Sequence, residues 1–323
     1  MKKKPVKLPG EYYFTRELIP VALKQVRGKD VSHPHDYTGI PHWHDFSELV
    51  IITSGFGRQV INDVAYPVSA GDVFVITGRN THFFEDYQNL SIANIMFSNR
   101  VFQGIQEYLN RIPGYHMIFR FEPELRTAKK FRNTLHLSAQ SLAYVAGVIR
   151  KMEAEFKRND PGCAAAVLTC LHDLIIFLSR SPESRKENHP ITRLAGLFSA
   201  LEASFQEDWP LERMAKYTGM SVNTLLRNFQ AAVKQTPLSY LTSIRLNAAG
   251  NLLVNTDLPV SEIAFSCGFH DSNYFGMRFL KMFKMTPSEF RRQKYKIRTN
   301  GQASGSRRTK HAEQKNEDSA KAK

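Results

Sequence analysis

Two histidines and a glutamate lie at alternating positions in one short segment of the chain. His42, His44 and Glu48 stand within His-Trp-His-Asp-Phe-Ser-Glu, and His82 follows one hairpin later. Side chains two residues apart in a β-strand point to the same face of a sheet, so a strand here would bring the three groups together. Imidazole and carboxylate groups bind divalent transition metals and also hydrogen-bond polar solutes. The spacing therefore predicts a site for a metal or for a small polar molecule.

Three interpretations of this cluster stay open. It could serve a metal-dependent enzyme, hold a structural or effector-associated divalent metal, or line a metal-free pocket in which His42, His44, Glu48 and His82 bind a small effector. We favour the metal-free pocket, with no required cofactor, because a fold alone implies no activity and a ligand pocket needs few polar groups. Trp43 is a further effector-binding candidate, since its ring can stack on a sugar.

The sequence offers no motif for catalysis beyond that cluster. It contains no phosphate-binding glycine loop, no nucleophile elbow and no Cys-x-x-Cys pair. We therefore expect no catalytic residues and no enzyme activity.

The C-terminal third contains an internal repeat, with one copy at Leu211–Leu241 and the other at Val260–Arg292. In each copy a small residue permits two helices to cross, a glycine supplies a turn with positive φ, and a polar residue caps the next helix. These matched residues are Ala215 and Ala264, Gly219 and Gly268, Ser221 and Asp271. The pattern predicts two helix-turn-helix units, whose second helices can enter a major groove.

The polar faces of the two predicted recognition helices supply the candidate DNA contacts. Asn can bind adenine, and Arg can bind guanine, through paired hydrogen bonds. The candidates are Asn223, Thr224, Arg227 and Asn228 in the first unit, and His270, Ser272, Asn273, Met277 and Arg278 in the second. A connecting helix from Leu238 to about Val254 is roughly 25 Å long at 1.5 Å per residue. It could hold the recognition helices about one DNA turn, near 34 Å, apart.

The region from Ile191 to Lys296 resembles the AraC/XylS transcription regulators. The motifs that carry the resemblance are the Leu211–Ala215–Gly219 run, Ser221…Leu225…Phe229, Tyr240-Leu241…Arg245-Leu246…Ala248, Gly268-Phe269…Tyr274-Phe275…Phe279 and Thr286-Pro287-Ser288. The resemblance implies that Asn223, Arg227, Ser272 and Asn273 face bases, whereas Met277 stands where many members have a polar residue. Lys234 and Lys284 replace a glycine usual in both copies. Each could approach a phosphate, a contact that positions the protein without reading sequence.

The N-terminal histidine segment is similar to the cupin pattern of two His and a Glu, followed by Gly55, Gly71 and a later His. Thr77 and Arg79 depart from the second part of that pattern. Many AraC-type regulators carry a similar His-x-His…Glu-Leu stretch on a sugar-sensing barrel, and the strands here look most like those of the rhamnose-responsive members. The resemblance implies a carbohydrate effector.

The order of patterns along the chain predicts an α+β protein, with an N-terminal cupin-like β-barrel and helical hairpin and a C-terminal all-α domain of two helix-turn-helix units. Short β-branched and aromatic runs, separated by Gly and Asn-Asp turns, give way to three- and four-residue apolar spacing from about Ser138. The predicted segments are a basic tail at 1–10, the effector-binding barrel at 11–136, the hairpin at 137–180, a linker at 181–190, the DNA-binding domain at 191–298 and a disordered tail at 299–323.

Composition and charge indicate the partners. The 323 residues carry a formal net charge of +14, which favours a polyanion such as DNA. Three cysteines form no disulfide framework, no apolar segment follows the basic N-terminus, and the run Leu174–Leu178 is too short to span a bilayer. We expect a cytoplasmic homodimer, paired through the hairpin, that does not bind membranes.

The resulting hypothesis is a sequence-specific transcription activator controlled by a small molecule, with promoter DNA and RNA polymerase as partners. The alternative is a metal-binding cupin enzyme, or a metal sensor, fused to a DNA-binding domain.

Overall fold

The computed structural model describes residues 5–14, 19–27, 40–78, 80–123, 135–158, 160–181 and 190–293. Most of the predicted linker at 181–190, the first four residues of the predicted basic tail, and the whole of the predicted tail at 299–323 lie outside the described residues. The chain forms two compact units, which are described separately. One comprises Met1–Ala203 with Glu212–Gln235, and the other comprises Ser204–Leu211 with Thr236–Lys323.

The first unit is built on an eight-stranded sheet. Its strands are β1 (Val6–Leu8), β2 (Val21–Arg27), β3 (His42–His44), β4 (Ser47–Ile61), β5 (Val64–Ser69), β6 (Asp72–Ile76), β7 (His82–Phe97) and β8 (Leu135–His136). The order runs β1-β3-β7-β4-β6-β8, with β2 on β7 and β5 on β4. β1 and β3 are parallel, and the other pairs are antiparallel.

The long strands β4 and β7 form the centre of the sheet. They pair from Ser47 opposite Phe97 to Ile61 opposite His82, with register shifts between Ile52 and Arg58. Such shifts bend and twist a strand, which lets one strand serve two parts of a curved sheet. Asn62 and Asp63 have positive φ values of 48° and 65°, as the tight turn between β4 and β5 requires.

Apolar side chains fill the interior that this curved sheet encloses. They form one buried cluster that includes Val50, Ile52, Phe74, Ile76 and Ile92. These residues come from the β-branched and aromatic runs of the sequence, in which every second side chain points to the same face of the sheet. The expected strand-rich N-terminal region is confirmed.

The predicted helical hairpin is formed by α4 (Ala139–Arg158) and α5 (Cys163–Arg180); the preceding short helices are α1 (Gly10–Tyr13), α2 (Gln106–Asn110) and α3 (Pro113–Tyr115). Gly162 is the N-cap residue of α5 and has a φ of 92°. The window Cys163–Arg180, with a mean hydropathy of 1.6, is long and apolar enough to span a membrane, although the sequence was expected to hold no such segment. Eight of the 18 residues of α5 are buried within its unit, including Leu171, Leu174 and Ile175 at 0 % exposure, as in a core helix.

Three further helices complete the first unit: α6 (Pro190–Ala203), α7 (Leu211–Thr218), which enters this unit at Glu212, and α8 (Val222–Val233). A π-helical turn, His116–Phe121, follows α3 and packs against α6. The ring centroid of Phe198 in α6 lies 4.8 Å from that of Phe121. The first helix-turn-helix unit therefore packs with the N-terminal region, through α6.

The second unit contains α9 (Pro237–Asn255), α10 (Val260–Ser266), α11 (Ser272–Phe283) and a last helical segment at 287–293. Its core includes Leu246, Leu253, Ile263, Phe275 and Phe279. The α+β class and the helical C-terminal part are as predicted. The compact units differ from the predicted boundary at residue 191, because 190–203 and 212–235 pack with the N-terminal residues. Independent folding of 191–298 stays a prediction, since packing alone does not test it.

Candidate DNA-binding and ligand-binding sites

The first helix-turn-helix unit has the predicted turn and cap. Gly219 adopts a φ of 61°, and Ser221 Oγ accepts a hydrogen bond from the Thr224 backbone N–H at 3.3 Å. Leu225 and Phe229, four residues apart on α8, are fully buried. The opposite face of α8 is therefore left outward, as a groove-reading helix requires.

The second helix-turn-helix unit repeats this construction. Gly268 has a φ of 83°, and a Cβ at this position would lie 2.7 Å from the carbonyl oxygen of Gln206. Asp271 Oδ1 accepts a hydrogen bond from the Tyr274 N–H at 2.7 Å, and Phe275 and Phe279 are fully buried. Both units thus orient a recognition helix by the same cap and the same apolar pair.

The predicted contact residues of the first unit divide into two groups. Asn223 and Arg227 are exposed on α8. Thr224 Oγ1 instead accepts a hydrogen bond from Ser221 Oγ at 2.9 Å, and Asn228 Nδ2 lies 3.6 Å from Met220 Sδ. Asn223 and Arg227 are therefore the side chains best placed to reach bases, while Thr224 and Asn228 are engaged within their own unit. Their roles in DNA binding stay predictions.

In the second helix-turn-helix unit, Ser272, Asn273 and Met277 are exposed. Arg278 lies over the Tyr274 ring, with Cζ 5.9 Å from the centroid. His270 precedes the cap and pairs with Asp208, Nε2 to Oδ1, at 2.8 Å, so a carboxylate accompanies any DNA contact it makes. These roles also stay predictions.

Lys234 and Lys284 end the two recognition helices in a conformation that usually favours glycine. Their φ values are 58° and 61°, in the left-handed region that is costly for a residue with a Cβ. Both side chains are exposed, and Lys234 Nζ donates to the Ala231 carbonyl oxygen at 3.2 Å. Lys234 and Lys284 thus replace the usual glycine, but the backbone at both positions keeps the left-handed conformation that glycine favours.

Sequence reasoning missed the apolar part of the second recognition surface. Tyr274, Met277 and Leu280 are 46 %, 61 % and 46 % exposed. Their three-residue spacing is visible in the sequence, but Tyr274 and Leu280 were assigned to no role. Apolar side chains can read the methyl group of thymine, which gives this surface a means of recognition without hydrogen bonds.

The predicted cluster of His42, His44, Glu48 and His82 is brought together in the first unit. All four side chains are buried, with exposures of 3 %, 1 %, 4 % and 2 %. Glu48 Oε2 lies 3.4 Å from His44 Nε2 and 3.2 Å from His82 Nε2. The His42 and His82 rings are 4.2 Å apart. The predicted convergence is found, but the predicted single strand is not, because a bend at residues 45 and 46 puts His42 and His44 in β3 and Glu48 in β4.

Each histidine of the cluster has its Nδ1 atom next to a backbone carbonyl. The distances are 3.2 Å from His42 to Ile40, 2.9 Å from His44 to Phe46 and 3.0 Å from His82 to Asn80. A carbonyl oxygen only accepts hydrogen bonds, so each Nδ1 is the protonated nitrogen. The Nε2 atoms of His44 and His82 then face Glu48.

Burial and charge act together on the ionisable groups of the cluster. Burial, helped by the neighbouring His82, lowers the pKa of His42 to about 3. Burial raises the pKa of Glu48, but hydrogen bonds with His44 and His82 outweigh that effect and hold the pKa well below its usual value. A neutral imidazole and an ionised carboxylate are the forms that bind metals. The potential ligand atoms of His44, Glu48 and His82 all lie within 4.8 Å of one another.

The effector-binding role predicted for these residues meets a geometric difficulty. A side chain lining a void would keep accessible surface, whereas the four side chains keep 4 % or less. A sugar could reach them only after a rearrangement. Trp43 is half-buried beside the cluster, with Lys7 Nζ 5.4 Å from its ring centroid. Effector binding by these residues stays a prediction.

A cavity of about 500 Å³ lies elsewhere in the first unit, between the sheet and the helical segment at 99–121. Its polar lining consists of Asp45, Ser47, Thr77, Ser98, Asn99, Gln106 and Arg120, and its aromatic lining of Phe46, Phe97, Phe102, Tyr115 and Phe119. Ser98 Oγ is buried without a hydrogen-bond partner. Aromatic walls with a few polar groups are typical of small-molecule sites. Sequence reasoning missed this cavity, because residues 99–121 carry no recognisable motif.

One further polar side chain inside the sheet was missed. Gln59 in β4 is fully buried, and neither of its amide atoms has a hydrogen-bond partner. It pairs with Phe84, two residues from His82, and so shares the face of His82. A glutamine inside an apolar strand was the available signal.

Comparison with protein-family models identifies both parts of the chain. Residues 24–160 match the model described as an AraC-like ligand binding domain. Residues 214–293 match a helix-turn-helix domain. These ranges agree with the sensing region and the DNA-binding region inferred from the sequence.

Two curated relatives are similar over most of the chain. The HTH-type transcriptional activator RhaR of Mannheimia succiniciproducens is 28 % identical over 288 residues, 88 % of this chain and 96 % of the relative. The HTH-type transcriptional activator RhaS of Enterobacter sp. is 31 % identical over 252 residues, 77 % of this chain and 86 % of the relative. Among solved structures, the DNA-binding domain of AdpA in complex with a target DNA is 30 % identical and covers 33 % of this chain and 95 % of that one, with a TM-score of 0.31.

Proposed function

The chain belongs to the AraC family of DNA-binding transcription regulators, and from this membership we propose that it activates transcription when a carbohydrate binds its N-terminal region. Relatives that match most of its length are named transcriptional activators. The protein is accordingly a regulator and not an enzyme.

The observation that carries the DNA-binding part is the repeated, capped recognition helix. In both units a side chain at the N-cap, Ser221 or Asp271, fixes the first turn, and an outward face follows. Asn223 and Arg227 supply hydrogen-bonding groups there, and Met277 supplies an apolar one. Two such helices in one chain fit recognition of two major-groove segments.

For the effector we propose the cavity lined by Phe46, Tyr115, Phe119 and Arg120. Its volume of about 500 Å³ suits a small solute. Aromatic rings can cover the apolar face of a sugar, and the amide, hydroxyl and guanidinium groups can bind its hydroxyls. The same segment packs on α6, so a ligand here would contact the elements that support the first recognition helix.

The remaining partners follow from the family and the surface. We propose a cytoplasmic homodimer that contacts RNA polymerase at its promoters. The hairpin of α4 and α5 is the proposed dimer surface, because it leaves Tyr144 and Ile176 44 % and 37 % exposed. Light scattering of the full chain, with and without DNA, tests the oligomeric state.

The decisive experiment measures DNA binding by the full chain with and without sugars. Duplexes are first selected by binding from a random pool, and anisotropy titrations then compare selected with scrambled duplexes in a panel of monosaccharides. We expect selective binding, and at least one sugar that changes the affinity and raises the thermal midpoint as a bound ligand does. Equal affinity for selected and scrambled duplexes would contradict the regulator.

The matched control for the cavity uses two arginines of one helical segment. Arg120 lines the cavity, whereas Arg111 pairs with Glu107 at 3.1 Å on the surface. Arg120→Ala is expected to weaken the sugar response, and Arg111→Ala is expected to preserve it. The cavity assignment fails if both variants respond like the parent chain.

A further inference from the structure

A carboxylate from outside the helix-turn-helix repeat lies beside the second recognition helix. Asp208, in the loop at 204–210, places Oδ1 2.8 Å from Nε2 of His270. The two residues are 62 positions apart in the chain, so the fold brings them together. Asp208 also precedes residues 214–293, the range that matches the helix-turn-helix family model. The repeat therefore assigns no role to this side chain.

The backbone on both sides of the pair is fixed by close contacts. Arg245 in α9 donates from Nε to the Phe205 carbonyl oxygen at 2.7 Å and from Nη2 to the Glu207 carbonyl oxygen at 2.8 Å. Gly268 lies so close to the same loop that a Cβ there would be 2.7 Å from the Gln206 carbonyl oxygen. The loop therefore packs directly against the turn that leads into α11.

Two further interactions hold Asp208 in place. The neighbouring Trp209 is 5 % exposed and donates from Nε1 to the Ser204 carbonyl oxygen at 3.1 Å. Burial lowers the pKa of Arg245, and the negative charge of Asp208 opposes that change, because a carboxylate stabilises a nearby cation. Asp208 is thus held both through the backbone of its loop and through its charge.

The pair lies at the end of α11 that reads bases in helix-turn-helix proteins. His270 directly precedes Asp271, the N-cap residue, and the N-terminal residues of a recognition helix are those that contact base edges. The side chains of His270 and Asp208 are 78 % and 75 % exposed, so DNA can reach both. Exposed pairs contribute little to stability, and stability alone therefore does not account for this one.

We propose that Asp208 is a positioning residue for DNA recognition, which holds the His270 ring in one orientation so that the ring contacts a base edge in the major groove. The inference rests on the proposed function, since it requires sequence-specific DNA binding. A free histidine ring rotates about two bonds and must be ordered when it binds. A ring already ordered by Asp208 avoids that cost, which for one side chain corresponds to about 2- to 10-fold in affinity.

Orientation and charge have different effects on DNA binding, and this difference makes them separable. A negative charge near DNA lowers the affinity for every sequence, because it repels the phosphates. An ordered ring raises the affinity only for duplexes that carry the base it contacts. Loss of Asp208 should therefore strengthen binding to all sequences slightly and weaken the preference at one base pair.

The test compares variants of the full chain on duplexes that are selected by binding from a random pool and then changed at single positions. We expect His270→Ala and Asp208→Ala each to lose about 2- to 10-fold of the preference at the same base pair. Asp208→Asn should keep that preference, because a side-chain amide both donates and accepts and so still bonds to the ring. Glu207→Gln is the matched control, since it removes the same charge from the adjacent exposed residue and should change no preference.

The double variant Asp208→Ala/His270→Ala shows whether Asp208 acts through the ring. It should have the same preference at that base pair as His270→Ala alone. A further loss there would mean that Asp208 contacts DNA itself, which overturns the positioning role. The circular dichroism spectrum and thermal midpoint of each variant should match those of the parent chain, since surface substitutions have small effects on stability.

The proposal also fails if Asp208→Ala or His270→Ala keeps every base preference of the parent chain. Equal changes for Asp208→Ala and Glu207→Gln on all duplexes would likewise show that only charge matters. These results leave the proposed function standing as long as the parent chain separates selected from scrambled duplexes. A parent chain that binds both kinds of duplex equally contradicts the regulator itself, and this inference with it.

Discussion

The ring of Phe198 stacks on the ring of Phe229, with centroids 4.4 Å apart and planes 14° apart. Phe198 also contacts Phe121 at 4.8 Å and His116 at 5.5 Å. Phe229 lies on the buried face of the first recognition helix, and His116–Phe121 is the turn that packs on α6. One side chain therefore joins the support of the recognition helix to the segment that walls the cavity.

We expect Phe198→Ala to destabilise the first unit strongly. The side chain is fully buried, and removal of a buried phenyl group typically costs about 3–5 kcal/mol. Urea unfolding followed by circular dichroism measures the loss. Phe56→Ala is the control, because Phe56 is 53 % exposed and a surface change usually stays within about 0.5 kcal/mol. Similar losses in the two variants would mean that Phe198 has no special packing role.

Arg227→Ala is expected to weaken binding to a selected duplex by about 1–3 kcal/mol and to relax the preference at one base pair. The physical reason is the loss of a paired hydrogen bond to a base edge from an exposed side chain on α8. Anisotropy titrations against duplexes changed at single positions measure both effects. Arg150→Ala, on the hairpin helix α4, should change neither. A uniform weakening on every duplex would assign Arg227 to the phosphate backbone instead.

Met277 gives a prediction that uses the DNA as the variant. If its side chain, 61 % exposed, contacts a thymine methyl group, replacing that thymine with deoxyuridine should weaken binding by the parent chain. Met277→Ala should weaken binding to the thymine duplex and should not respond to deoxyuridine. An effect of deoxyuridine that is the same in both proteins would place the methyl contact elsewhere.

Lys234 allows backbone strain and charge to be separated. The left-handed conformation costs roughly 1–2 kcal/mol with a Cβ, and glycine removes that cost while losing about 0.5–1 kcal/mol through its freedom when unfolded. Lys234→Gly should therefore raise the free energy of unfolding by about 0.5–1 kcal/mol. If Lys234 contacts a phosphate, Lys234→Gly and Lys234→Ala should each lower the slope of log affinity against log salt concentration by about 1. A stability gain in the alanine variant as well would contradict the strain argument.

The features that the sequence predicted are local in the chain. Gly219, Ser221 and Asp271 set turns and caps through neighbours within a few residues, so their types and spacing suffice. The two-residue spacing of His42 and His44 also needs nothing beyond strand geometry, whereas Glu48 joins them from the next strand, β4. The orientation of the Nδ1 atoms toward carbonyls, by contrast, depends on the detailed path of the backbone.

The cavity could not be predicted, because it forms between distant parts of the chain. Phe46 follows β3, whereas Tyr115 and Arg120 lie in short helical turns that lack the period of a longer helix. The same holds for the packing of the first helix-turn-helix unit on the turn at His116–Phe121. Spacing along a helix indicates which of its faces is buried, but it does not identify Phe198 as the partner of Phe229.

His116 should make the stability of the protein depend on pH. The side chain is fully buried, Nε2 donates to the Asn110 carbonyl oxygen at 2.6 Å, and Nδ1 has no hydrogen-bond partner. Burial, with a smaller effect from the charge of Arg120, lowers the pKa of His116 from 6.5 to about 3. The unfolded chain therefore binds a proton near pH 6.5 that the folded chain refuses until about pH 3.

The stabilising effect of a neutral His116 is complete above pH 6.5 and is lost as the pH falls toward 3, with a slope of up to about 1.4 kcal/mol per pH unit. His116→Gln keeps an N–H donor for Asn110 and removes the titration, so its free energy of unfolding should fall less steeply between those limits. Urea unfolding of both chains at a series of pH values measures the free energy of unfolding. The contributions of the carboxylates are shared by the two chains and cancel in the difference. An unchanged slope in His116→Gln would mean that His116 is already protonated in the folded protein.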